Sequence, residues 1–212
     1  MKRQPCFLLA IVVLMTTIAG CAKNEADLAR TTQHETLSAN TNEDAVALAG
    51  NVTYTLVRSA NPTSTELNAY TLITTAMDAA VAYMNTYTTF TKSITVYYVP
   101  SVATADGNIN GTIRFGSNTY YMNTATALHE IAHTVGVGTS NIWWNTLIVS
   151  GVYTGTNATQ ALRTLTNNPT ALIYGDSQHF WPYGLNYPTE VTSNNDYIYH
   201  CLILEGMKQD GL

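Results

Sequence analysis

Two histidines, His129 and His133, stand four residues apart, and a glutamate, Glu130, directly follows the first. On an α-helix that spacing sends both imidazoles out of one face about one turn apart, where they can grip a single metal ion. The neighbouring residues favour a helix: Asn123 or Thr124 can cap it, and it runs from there to about Val135. With five histidines and seven glutamates in 212 residues, the pattern arises by chance on the order of 0.004 times in such a chain. Composition therefore does not account for it.

Residues of this type in this order suit hydrolysis. A bound metal lowers the pKa of a water molecule, and the adjoining Glu130 takes its proton and later delivers it to a leaving amine. Neutral imidazoles in a tetrahedral site make Zn2+ the default ion. Two histidines alone hold zinc weakly, so a third ligand has to come from elsewhere; the candidates are His179, His200, Asp176, Glu190 and Glu205. His179 is favoured because it lies in Gly175 to Asn186, a stretch dense in glycine, aromatic and polar residues with no helix or strand period, the kind of loop that places side chains. His200 sits beside Cys201 on an expected helix with an apolar packing face, which suits a core or capping role. Asp176 is a candidate partner for the second ring N–H of a ligating histidine. Tyr183 and Tyr187 are candidate phenol donors to an oxyanion, and Met207 reads as core rather than as a floor beneath the metal.

Other periodicities place this helix in a larger frame. Asn51 to Arg58 alternates as a half-buried strand, and a helix follows, capped by Thr63, Ser64 or Thr65 and carrying an apolar stripe from Leu67 through Met84 to its end at Asn85. Ser93 to Pro100 is β-branched and aromatic, hence a strand. Turn chemistry at Asp106-Gly107 precedes a strand at Gly111 to Phe115 and a further one at Asn118 to Met122. The Gly111 to Phe115 strand is a candidate edge for pairing an extended peptide. Beyond Gly138 the pattern is less regular: an apolar run at Ile142 to Val149, a turn at Gly151 to Gly155, a short helix at Ala158 to Leu165 and a final helix at about Asn195 to Lys208.

This arrangement resembles the zincin metallopeptidases. His129 to Gly136 (HEIAHTVG) is similar to the start of the metzincin pattern HExxHxxGxxH, but the position of that family's third ligand is Thr139, and Ser140 beside it is no substitute. The resemblance implies an α+β, zincin-like fold: a small mixed sheet, an upstream helix, an active-site helix and a C-terminal helix. The loop around His179 together with HExxHxxGxG also resembles segments of secreted HExxH proteins that are sometimes joined to carbohydrate-binding modules.

The first residues belong to no domain. Lys2 and Arg3 precede an apolar run from Cys6 to Ile18, the layout of an export signal, and the run is too short to span a bilayer. Its ending, Ile18-Ala19-Gly20-Cys21, resembles a bacterial lipobox, which implies cleavage after residue 20 and lipidation of Cys21. Residues 21–50 read as a polar tether containing His34, and 51–212 as one metallohydrolase domain. Ala22, rather than an aspartate, after the cysteine favours the outer membrane within the bacterial cell envelope. Loss of Cys6 and acylation of Cys21 leave Cys201 as the only thiol, buried and structural, with no intramolecular disulfide. Without Lys2 and Arg3, seven basic residues face 14 acidic ones, a formal charge of −7, and the basic residues are scattered singly. That argues against nucleic acid as a partner.

Two functions are compatible with these residues. One is a zinc metallopeptidase acting on peptide or protein substrates. The other is a catalytically silent surface lipoprotein that binds carbohydrate or protein through Trp143, Trp144, Phe180 and Trp181. A general base beside the ligands favours the enzyme, because a binding module or an inert envelope lipoprotein has no use for Glu130.

Overall fold

A computed structural model describes residues 48–212. The expected export signal, Cys21, His34 and most of the expected tether lie outside the described residues.

The first half is a mixed sheet under two helices. Strand β1 (Asn51–Leu56) leads into α1 (Ser64–Tyr87), then β2 (Thr91–Tyr98), β3 (Ala105–Asn108) and β4 (Thr112–Phe115). The sheet order is β1-β2-β4-β3, with β1, β2 and β4 parallel and β3 antiparallel to β4. Thr63 caps α1 in a reciprocal box: its hydroxyl accepts from the Glu66 N–H, and the Glu66 carboxylate accepts from the Thr63 N–H at 2.7 Å. The apolar stripe of α1 buries Ala69, Ile73, Ala76, Met77, Ala80 and Met84. It packs with Val52, Ile94, Val96, Ile113 and Phe115 of the strands in one core; each large side chain buried this way contributes roughly 1.5–3 kcal/mol. Asn85, near the end of α1, pins the outer strand through its amide, which accepts from Val52 N–H at 2.7 Å and donates to Val52 C=O at 3.0 Å.

Three expectations are corrected here. Asp106-Gly107 is not a turn but the middle of β3, aligned opposite Arg114 and Ile113. Strand β4, expected as a free edge, lies between β2 and β3, so the edge beside the helix that carries His129 and His133 is β3. Asn118 to Met122 forms a 3-10 turn at Thr119–Tyr121 instead of a strand, because the Asn118 side chain accepts from Tyr120 N–H and starts a turn.

Helix α2 (Thr124–Thr134) carries the two histidines and is capped by Asn123, whose side chain accepts from Thr126 N–H. Its buried residues extend over nearly the whole helix, so it runs through the core and not along the surface. A π-helical turn at Trp143–Leu147 then leads into a second small sheet, β5 (Ile148–Val149), β6 (Val152–Tyr153), β7 (Tyr174–Gly175) and β8 (Phe180–Trp181), all antiparallel in that order. Helix α3 (Thr156–Thr166) interrupts it, and α4 (Asn194–Gln209) closes the chain against α3 and α1. Cys201 and Met207 of α4 are fully buried, and burial pushes the Cys201 thiol far above its usual pKa, as suits a structural cysteine. No helix among the described residues is long and apolar enough to cross a membrane.

Candidate metal centre

Both histidines of α2 are oriented through their Nδ1 atoms. His129 Nδ1 lies 2.8 Å from the Gly184 carbonyl and His133 Nδ1 lies 2.8 Å from the Val137 carbonyl. A carbonyl oxygen can only accept, so each Nδ1 carries the proton and each Nε2 presents a lone pair. The two Nε2 atoms stand 3.1 Å apart. Two lone pairs at that distance repel unless a cation lies between them, and nitrogens about 2.0–2.1 Å from one tetrahedral zinc stand about 3.3 Å apart. Burial, reinforced by the neighbouring His133, lowers the His129 pKa to about 3, and burial also lowers that of His133. Both are thus neutral, the form that ligates a metal.

His179 completes the set. One ligand atom from each of His129, His133 and His179 lies within 4.8 Å of the others, and the donor chemistry, three imidazoles, fits a zinc-type ion. The stretch from Gly175, expected to lack strand structure, begins as the β7–β8 hairpin with His179 at its turn. Asp176 builds that turn: its Oδ1 accepts from the N–H groups of Gln178 and His179 at 2.7 and 2.6 Å. Its Oδ2 lies 3.5 Å from His179 Nδ1. Burial pushes the Asp176 carboxyl up, but those two N–H donors outweigh it and hold it below its ordinary value. Two indoles clamp the turn from outside, Trp143 donating to Asp176 C=O at 3.0 Å and Trp144 to Ser177 C=O at 2.8 Å.

The hairpin reaches the helix because Gly138 allows it. This glycine has φ +63°, and a Cβ there would collide with the backbone of Gln178. Chain reversal after α2 therefore places the residue before His179 directly against Gly138, four residues past the end of the helix that carries His129 and His133.

The other candidate ligands are elsewhere. Glu205 accepts from the N–H and hydroxyl of Thr89, and Glu190 accepts from Asn186. His200 is fully buried on α4, stacked on Phe180, with Nδ1 2.7 Å from the Tyr183 carbonyl; burial brings its pKa down to about 4.

The histidines open onto a cleft of about 360 Å³. Glu130 lines it, 5% exposed, with Oε2 buried and without a hydrogen-bond partner. Burial, with the nearby Asp106 adding to it, raises the Glu130 carboxyl to about 8. Tyr187 also lines the cleft, but Tyr183 does not: its ring packs edge-on against Tyr199, 5.2 Å between centroids. Tyr121, absent from the sequence-based candidates because no motif marks it, lines the cleft instead. So do Thr104 to Gly107 of the β3 edge. The expected recognition face is also corrected: Trp143 and Phe180 are core residues, whereas Trp144 and Trp181 are 48% and 37% exposed and Trp181 borders the cleft.

Comparison with protein-family models, with curated proteins and with solved structures finds no match to this chain.

Proposed function

We propose that the protein is an exported zinc-dependent metallopeptidase of zincin type, with His129, His133 and His179 as metal ligands and Glu130 as general base and then general acid. The observation that carries this reading is the meeting of three imidazoles with a buried carboxyl, whose Oε2 has no hydrogen-bond partner, at one cleft. When bound, zinc supplies the Lewis acidity that makes water a nucleophile near neutral pH. Glu130 takes the proton from the attacking water at a carboxylate oxygen and passes it to the leaving amine, and its high basicity suits the first step. Tyr187 and Tyr121 offer phenols to the developing oxyanion. The unpaired outer edge of β3 offers backbone groups to an extended peptide. Attachment to the bacterial outer membrane through a lipid on Cys21 belongs to the same proposal and is supported by the charged, apolar and small-residue order of residues 2–21.

The second reading is a catalytically silent lipoprotein that binds carbohydrate or protein, for which the exposed Trp144 and the exposed, cleft-lining Trp181 are the supporting observation. It assigns no task to Glu130. Zinc content and peptide cleavage by the unlipidated chain lacking residues 1–20 separate the two. Near-stoichiometric zinc, lost in His129→Ala and His179→Ala, together with cleavage of a peptide library abolished in Glu130→Ala, is the expected result. Zinc binding without cleavage of any peptide supports the binding module; absence of zinc from the wild type removes the hydrolase reading.

A further inference from the structure

His200 is a buried histidine that the proposed chemistry does not use. It sits on α4, fully excluded from solvent, and touches the site-bearing loop at two places. Its Nδ1 donates to the carbonyl of Tyr183 at 2.7 Å, the acceptor fixing the tautomer as it does for the two histidines of α2. Its ring stacks on Phe180, with centroids 5.8 Å apart and planes at 20°. Phe180 directly follows His179, and Tyr183 directly precedes Gly184, whose carbonyl receives the proton of His129 Nδ1.

The segment between these contacts does not hold itself in shape. Tyr183 and Leu185 both adopt positive φ, 63° and 57°, on either side of Gly184. Non-glycine residues in that region are strained and persist only when their surroundings over-determine them. Asn186 supplies part of the restraint, donating from its amide to the Phe180 carbonyl at 3.0 Å. His200, on α4, is a restraint that comes from outside the loop and grips it at both Phe180 and Tyr183.

From these contacts we infer that His200 is a positioning residue, which holds the Gly184 carbonyl in register with His129 and the Phe180 backbone in register with His179. The inference rests on the metal-site reading for its link to metal affinity, but its local claim, that His200 sets the tautomer and orientation of His129, stands on hydrogen bonds alone.

The test uses three variants of the unlipidated chain lacking residues 1–20. His200→Asn keeps a donor near the Nδ1 position; His200→Phe keeps ring volume and removes the donor. His200→Gln places its amide near the Nε2 position instead and replaces the phenylalanine variant if that one does not fold. Each is examined metal-free by histidine-ring 15N NMR, which reports the tautomer of His129, and loaded with Co2+ by its visible absorption and by chelator competition. The expected result is a single Nδ1–H tautomer of His129 in wild type and His200→Asn, and a mixed or exchange-broadened one in the donor-less variant. Co2+ affinity then falls about tenfold in that variant, with an altered spectrum, the scale usual for outer-sphere partners of metal ligands. A donor-less variant with the wild-type His129 tautomer and Co2+ spectrum overturns the inference. A wild type that binds no metal, yet whose His129 tautomer still depends on His200, supports the positioning role and defeats the metalloenzyme reading instead.

Discussion

Gly107 of the edge strand β3 lies directly against the backbone of Glu130 on α2, so close that a Cβ at position 107 would overlap the Glu130 carbonyl oxygen and crowd the His133 side chain. A glycine is thus what lets the free edge of the sheet reach the helix that carries Glu130.

Gly107→Ala is expected to cost about 1–3 kcal/mol, the usual range for an extra methyl forced into a packed contact. Because the displaced elements are β3 and α2, zinc affinity should fall together with the midpoint of urea unfolding. An alanine variant with unchanged midpoint and zinc content would mean that β3 and α2 do not meet at this distance.

Glu130 makes the metal-free protein sensitive to alkali. Its folded-state pKa of about 8 stands above the ordinary value of 4.5, because burial disfavours the charged form. A carboxyl raised in this way keeps its proton when folded, so its contribution is fully present below pH 4.5 and is lost as pH rises towards 8. Unfolding of metal-free Glu130→Gln should therefore match the wild type near pH 4.5 and exceed it by on the order of 4 kcal/mol at pH 8. Chemical denaturation at the two pH values decides this, and equal stability at both would show that the carboxyl is not desolvated.

Asp176 holds the turn through Oδ1, its Oδ2 faces His179 Nδ1 at 3.5 Å, and Asp176→Asn separates the two atoms' contributions. Asparagine keeps an acceptor for the Gln178 and His179 N–H groups but turns the second atom into a donor. The variant should retain the wild-type melting temperature while zinc affinity falls about 10- to 100-fold. Asp176→Ala should lower both. Unchanged zinc affinity in the asparagine variant would exclude Asp176 as the partner of the ligand ring.

Asp210 ties the end of the chain to α3. The residue before α3, Gly155, has no side chain to cap it, and Asp210 from the end of α4 accepts from the N–H groups of Asn157 and Ala158 at 2.9 and 3.0 Å. Asp210→Ala is expected to destabilise the protein by about 1–2 kcal/mol in thermal or urea unfolding, the usual value of an N-cap. Zinc content should stay as in the wild type, because the three histidines stand on α2 and at the β7–β8 turn and none on α3 or α4; loss of zinc would show that the α3–α4 pair braces the site.

What the chain determines by itself are the features encoded by local periodicity and local capping. The apolar stripe of α1 with its Thr63–Glu66 box, the β-branched run of β2, and the four-residue step from His129 to His133 all follow from contacts within a few residues. The two-histidine, one-glutamate part of the centre is legible for the same reason: a helix fixes the direction of residues four apart whatever surrounds it. His179 could be favoured from its loop composition, but only the close approach of Gly138 to Gln178 brings it to α2 rather than His200. The strand Ala105–Asn108 has a sequence, ADGN, with turn character and no β-propensity; it is a strand because β4 pairs with it and because Gly107 fits against Glu130. Tyr187 and Tyr121 reach the cleft while Tyr183 turns to Tyr199, and Trp143 enters the core while Trp144 stays exposed. Such choices between similar neighbours depend on backbone direction at positive-φ turns and on which surfaces meet after the chain has folded back. That is long-range packing, which no local pattern of residues specifies.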